Sequence, residues 1–163
     1  MKIGLRTLKT VVACFFALII AQQLDLLYYT SAGIIAILSV GNTKKSSLNT
    51  GIARFISLTI ATVISAIIFN TVGYTPLGFA LFLFFFIPVT VHFSLTDGIV
   101  VTSVLVTHYL LEQSFAWNLI LNEFLLMGIG VGVALIFNLY MPNLEKRIKQ
   151  EQQSCGKTSQ EKI

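Results

Sequence analysis

Residues Ala32 to Arg54 read AGIIAILSVGNTKKSSLNTGIAR. An apolar run, Gly33 to Val40, stops at Gly41-Asn42. A basic, hydroxyl-rich turn follows (Thr43, Lys44, Lys45, Ser46, Ser47), and Arg54 leads into a second apolar run. A spanning helix needs about 20 apolar residues at a rise of about 1.5 Å each. The apolar part is shorter than that, and marginal even when extended back to Leu26. Lysines favour the cytoplasmic side of a bilayer. The stretch therefore predicts a membrane protein with a short helix ending at a basic cytoplasmic turn.

The whole composition agrees. Of 163 residues, 55% are hydrophobic and 11% charged, and mean hydropathy is +0.83. A soluble domain is about 25% charged. The charge deficit is the stronger sign, because apolar residues alone could belong to a large core. The net charge of +4 does not point to nucleic acid, since the basic residues cluster between apolar runs. Cys14 lies in an apolar run and Cys155 in a polar tail, so neither a disulfide nor a metal site is expected. Lys2, Arg6 and Lys9 before Val11–Ala21 resemble a signal peptide. However, no small-x-small site precedes Gln22-Gln23, and further apolar segments follow.

Six apolar segments are legible: Leu8–Leu24, Leu26–Val40, Ile52–Val72, Leu77–Phe93, Gly98–Leu111 and Phe115–Met141. The junctions are short, so consecutive helices should be antiparallel neighbours. All 11 Lys and Arg residues fall on one side of a six-span arrangement. They lie before the first segment, between the second and third, and after the sixth. The opposite junctions hold Asp25 and Glu112 but no Lys or Arg. The expectation is an all-α integral membrane bundle of six transmembrane helices over residues 1–143, both termini cytoplasmic, with a polar cytoplasmic tail over 144–163.

The second and fifth segments are short and begin alike, Ser31-Ala32-Gly33-Ile34-Ile35 and Thr96-Asp97-Gly98-Ile99-Val100. They run in opposite directions, as an inverted 3+3 repeat around a central site would have them. Chance likeness between two apolar stretches is the alternative. Trp117, Tyr28, Tyr29, Tyr74 and Tyr109 fall near the outer ends and read as an interfacial belt. The fourth segment is rich in Phe, read as lipid-facing or packing, and Pro88 should kink it.

Gly128-Ile129-Gly130-Val131-Gly132 has the wrong spacing and setting for a dinucleotide loop. Small residues at this spacing let membrane helices approach closely, within the chain or between copies. Asn138 is expected to hydrogen-bond to a neighbouring helix. The sequence holds no phosphate loop, no H-E-x-x-H and no G-x-S-x-G, so no enzyme, cofactor or metal is expected.

Ionisable groups at membrane depth are costly and face a cavity or a partner. Glu123 lies about two turns into the sixth segment, beside Asn122, and His108 lies in the outer third of the fifth. Glu123 is a candidate proton-coupling carboxylate. Its plainer reading is a boundary carboxylate paired with His108 or an amide. Asp97 opens the fifth segment, where it is a candidate for the path or simply a helix N-cap. Lys44, Lys45 and Arg54 are candidates for attracting anions from the cytoplasm, or plain topology determinants.

MKIGLRTLKT, GNTKKSSLNTGIARF, TDGIVVTSVLVTHYLLEQS and LNEFLLMGIGVGVALIFNLYMPNLEKRI together resemble the bacterial aromatic acid exporter family of Gram-positive type, related to fusaric acid resistance-like membrane proteins. The resemblance runs to about Lys149. It implies a six-span membrane domain, followed in longer relatives by a cytoplasmic domain, and efflux of aromatic carboxylic acids. The expected function is a small, homo-oligomeric exporter of aromatic or amphipathic organic anions, driven by protons. The alternative is a non-transporting membrane subunit that binds partner proteins through its helices.

Overall fold

A computed structural model describes residues 5–40 and 44–140, with side chains over 7–40 and 48–140. The tail expected at 144–163, with Cys155, lies outside the described residues. Those residues form six helices and one short 3-10 turn, with no strand among them. The helices are α1 (Leu5–Gln23), α2 (Thr30–Ser39), α3 (Lys44–Val72), α4 (Pro76–His92), α5 (Ile99–Glu112) and α6 (Trp117–Tyr140). The 3-10 turn, Thr96–Gly98, leads into α5.

Local chemistry sets several boundaries. Gly73, at φ +94°, ends α3 in a conformation that favours glycine. Thr75 is extended and its hydroxyl accepts from the Gly78 amide, with Pro76 in the first turn of α4. Pro88 lies inside α4, which continues to His92. Two boundaries differ from the sequence reading. Helix α2 begins at Thr30 rather than Leu26, because Tyr28 takes a left-handed φ of 56°. The expected turn at Lys44–Ser47 is instead the start of α3.

Small residues let α2 lie deep between α1 and α6. Ala13, Ala17 and Ala21 repeat every four residues along α1 and are fully buried. A Cβ on Gly33 would meet the Leu18 and Cys14 side chains at about 3 Å. One on Gly130 would meet Ile35 at 2.5 Å. Helix α1 packs on α6, and α3 packs on α4, α5 and α6. One apolar cluster joins α1, α2 and α6 to Val101 and Leu105 of α5. A second joins Phe69, Phe82, Phe86, Val106, Tyr109 and Leu119.

The outward faces are apolar too, with Phe15, Val63, Ile67, Phe84, Val100 and Leu111 all exposed. Helices hydrophobic all round belong in a membrane or a large core. Leu48–Val72 and Trp117–Tyr140 are long and apolar enough to cross a bilayer. The residues expected to form an aromatic belt differ in exposure. Trp117 and Tyr29 are exposed, but Tyr109 is fully buried. It packs at 4.8 Å on Phe115, with its hydroxyl 3.4 Å from Thr62 Oγ1.

Candidate functional site: a buried histidine–glutamate pair beneath an aromatic loop

Helices α5 and α6 bring His108 and Glu123 together. His108 lies one turn before the end of α5, and Glu123 lies two turns into α6. His108 Nδ1 is 2.8 Å from Glu123 Oε2. Glu123 is fully buried and His108 nearly so. The other carboxylate oxygen, Oε1, accepts from Asn122 Nδ2 at 3.2 Å. His108 Nε2 is 3.2 Å from Ser31 Oγ, at the start of α2. The two short helices thus meet at Ser31 and His108.

The α1–α2 loop closes over this pair. The Tyr28 ring stacks on the His108 ring, with centroids 4.1 Å apart and planes 7° from parallel. The Tyr28 hydroxyl donates to Glu112 Oε1 at 2.8 Å. That bond, then burial and the charges of Glu112 and Glu123, hold the phenol above its ordinary pKa, so it remains a donor. Asn122 grips the same loop by its backbone. Its Oδ1 accepts from the Leu27 amide at 2.9 Å, and its Nδ2 donates to the Leu27 carbonyl at 3.0 Å.

The hydrogen bonds of the pair can be satisfied in two protonation states. As an imidazolium, His108 donates from Nδ1 to Glu123 and from Nε2 to Ser31. As a neutral ring protonated at Nδ1, it still donates to Glu123, while the Ser31 hydroxyl turns to donate to Nε2. A hydroxyl can do either. Each ring nitrogen therefore keeps a partner in both charge states. A buried ion pair is a poor route to stability, because desolvation offsets the attraction.

A second polar cluster lies at the other end of α2 and α5. Arg54 of α3 is buried. Its guanidinium donates to the Leu38 carbonyl at 2.8 Å, to the Ser39 hydroxyl, and to the Asp97 carbonyl at 3.2 Å. The shortness of α2 explains this. Ten residues rise only about 15 Å, half a hydrocarbon core of about 30 Å. Its last carbonyls would otherwise lie unpaired in an apolar medium, and a cation at that end also suits the helix dipole.

Asp97 does not cap α5. The residue before α5 is Gly98, with no side-chain cap. The exposed Asp97 carboxylate instead accepts from Thr50 Oγ1 at 3.2 Å. The 3-10 turn presses so closely on α3 that a Cβ on Gly98 would stand 2.3 Å from Ser57 Oγ.

Of the candidate residues, Glu123, His108 and Asn122 converge, whereas Asp97 joins Arg54 at the far end of α5. Lys44 and Lys45 begin α3, but their side chains lie outside the described residues. Asn138 is buried. Gly130 makes the internal close contact with α2. A Cβ on Gly128 would meet only Phe55, at 3.8 Å, and one on Gly132 would meet nothing within 4 Å. Sequence reasoning missed Tyr28, Ser31 and Glu112 at the pair, Ser39 at Arg54 and Thr50 at Asp97. Among the described residues no three His, Cys, Asp or Glu groups come together as a metal site. An open apolar groove lies on α4, lined by Ala80, Leu83, Phe84, Ile87 and Pro88, and includes neither cluster.

The model of aromatic acid exporter family member 1 matches residues 1–141. An uncharacterized protein of Bacillus subtilis (strain 168), YqjA, is 40% identical over 147 residues. The match covers 90% of this chain and 46% of the relative, so the chain spans about half the length of the curated relative it matches. No solved structure matches.

Proposed function

The chain belongs to the aromatic acid exporter family, and from that premise we propose that it forms the membrane part of a proton-driven exporter of aromatic or amphipathic organic acids. The observation that carries the proton step is the His108–Glu123 pair, buried yet partnered in two charge states. All six helices span, both termini cytoplasmic, with the Lys/Arg side inward. The pair then lies near the outer face and Arg54 near the inner face. A proton entering from outside loads the pair and leaves toward the cytoplasm, as an organic anion moves out. Arg54, with Lys44 and Lys45 nearby in sequence, draws anions to the inner end.

The packing supports a 3+3 inverted repeat. Helix α1 rests on α6 as α4 rests on α3, and α2 on α6 as the 3-10 turn and α5 rest on α3. Left-handed residues precede both short helices, Tyr28 and Ser94. Six helices of this length enclose little space, so the substrate path runs between copies of the chain. The outward Gly128–Gly132 face of α6 provides their contact.

Vesicles reconstituted with the chain and carrying a trapped pH dye test the reading. An aromatic carboxylate such as benzoate should move against a counterflow of protons, and Glu123→Gln should abolish the proton signal. Vesicles of native chain that move neither would instead favour the non-transporting subunit. The small size of the bundle is what keeps that second reading in view.

A further inference from the structure

We infer that Arg54 is a latch released by carboxylate: an organic acid draws the guanidinium from three neutral acceptors and so frees the end of α2 from the α4–α5 junction. The inference rests on the exporter reading and deepens it by assigning the inner anion site and its gate. Arg54 ties two elements to α3. Its Nη1 and Nη2 donate to the Ser39 hydroxyl and the Leu38 carbonyl at the end of α2, and its Nε donates to the Asp97 carbonyl in the 3-10 turn. These bonds use three of the five N–H groups of a guanidinium. Among the described residues no hydrogen bond runs directly from α2 to the 3-10 turn, so Arg54 is the bonded link between them.

The charge on this guanidinium is only partly answered. All three acceptors are neutral. The carbonyl end of α2 supplies about half a negative charge against a full positive one. Asp97 brings its carbonyl to Nε, while its exposed carboxylate accepts from Thr50. The one ion pair among the described residues is His108–Glu123. Buried charges are ordinarily paired. A hydrogen bond to a carboxylate is about twice as strong as one to a neutral acceptor, and the guanidinium fork fits both carboxylate oxygens. An arriving carboxylate therefore displaces the neutral acceptors. The surroundings set its class. One helical turn deeper than Ser39, Arg54 and Asp97 lie Ile35, Leu58 and Val101, all buried in one apolar cluster. A cation backed by an apolar cluster suits a carboxylate carried on an apolar body.

The latch is lightly made. The α4–α5 junction meets α3 through hydrogen bonds at the long end of the range. Arg54 Nε is 3.2 Å from the Asp97 carbonyl, Thr50 Oγ1 is 3.2 Å from Asp97 Oδ2, and Ser57 Oγ is 3.4 Å from the Leu95 carbonyl. Ser94 in this junction takes a left-handed φ of 57°. It is not glycine, so its conformation needs outside contacts to persist. The bonds of Arg54 to Leu38 and Asp97 are only part-buried, unlike the bond to Ser39. That edge of the guanidinium is the one an anion reaches from the inner side. Water entering with the anion takes the released carbonyls, and the end of α2 and the junction are then free to part.

The test is hydrogen exchange of the last turn of α2 (Leu38, Ser39 and Val40) and of Gly98 and Ile99. It uses the full chain in phosphatidylcholine nanodiscs at constant pH. Saturating benzoate should speed exchange in both segments about tenfold. Benzamide, of the same shape but uncharged, should leave both unchanged. Formate, a carboxylate without the apolar body, should act only at much higher concentration. Benzoate that slows exchange or leaves it unchanged overturns the inference, and so does benzamide that matches benzoate. Formate as potent as benzoate overturns the assigned class of acid. Arg54→Met should exchange fast in both segments with no acid present and should not respond to benzoate. A benzoate response that survives Arg54→Met places the anion elsewhere and also overturns the inference. A purely structural Arg54 would give fast exchange in the variant but no benzoate effect in the native chain. Exchange in residues 126–134 of α6 reports whether the variant folds. If it does not, the native comparison of benzoate with benzamide decides. Benzoate flux is measured in vesicles of the same lipid. Flux with a benzoate-indifferent latch overturns only the latch, and a responding latch without flux overturns only the transport reading.

Discussion

At the scale of the residue, the argument turns on what each buried polar group would lose alone. Glu123 without His108 is an uncompensated carboxylate among apolar side chains. His108→Ala should therefore destabilise the fold by about 3–5 kcal/mol. Adding Glu123→Gln should restore part of that loss, with a coupling of about 1–3 kcal/mol in a double-mutant cycle, read by unfolding in detergent. Strict additivity would show that the 2.8 Å contact carries no interaction energy. Arg54 supplies a different case, a guanidinium held by neutral acceptors. Arg54→Met should cost about 1.5–3 kcal/mol through the orphaned Leu38 and Asp97 carbonyls. Arg54→Lys should not recover it, since an ammonium cannot spread its donors across three acceptors set in different directions. The titratable residues were legible from sequence because charge at membrane depth is rare and demands a partner. Their hydroxyl and aromatic partners were not. Ser31 and Tyr28 are ordinary at a helix start and a membrane interface, and only folding places them on His108.

At the scale of the element, six helices were legible because apolar runs and polar junctions alternate along the chain. Their ends were less so. The start of α2 depended on Tyr28 turning left-handed, which no periodicity reveals. Nor could sequence divide the glycines of α6, which all sit in one apolar run, between the core and the outer face. The structure divides them sharply. A methyl on Gly130 would collide with Ile35 at 2.5 Å, while one on Gly132 meets open space. Gly130→Ala should then lower stability by about 1–3 kcal/mol, as overpacking does, and Gly132→Ala should stay within about 0.5 kcal/mol. The bulkier Gly132→Leu should leave the fold of a single chain unchanged. If copies associate through this face, crosslinking in membranes should show oligomers for the native chain and a clear loss with Gly132→Leu. A native chain that crosslinks only as monomer would remove the face from the proposal.

At the scale of the whole molecule, two polar clusters sit at opposite ends of the α2–α5 pair. Apolar side chains lie between them: Ile35, Val101, Leu105, Leu126, Met127 and Val131 are all buried in one cluster. On the proposed reading, a proton at His108–Glu123 must cross this mostly apolar layer, in which Thr102 of α5 is also buried, so passage requires the helices to move. This makes the sidedness of the bundle decisive. The Asp25 and Glu112 ends must share one face of the membrane, and the start of α3 and the α4–α5 junction the other. The lengths allow it, because α3 and α6 can each span and the shorter helices lie against them. With Cys14 and Cys155 replaced by serine, single cysteines at Asp25, Tyr74 and Gln113 should react with an impermeant thiol reagent in intact cells. Cysteines at Asn49 and Ser94, both exposed on the other side, should react only after the membrane is opened. Labelling of Asn49 and Asp25 from the same side would mean that α1 and α2 do not cross as a pair. Arg54 and Glu123 would then lose their assignment to opposite faces, and a proton gradient would have no direction in which to drive the exchange.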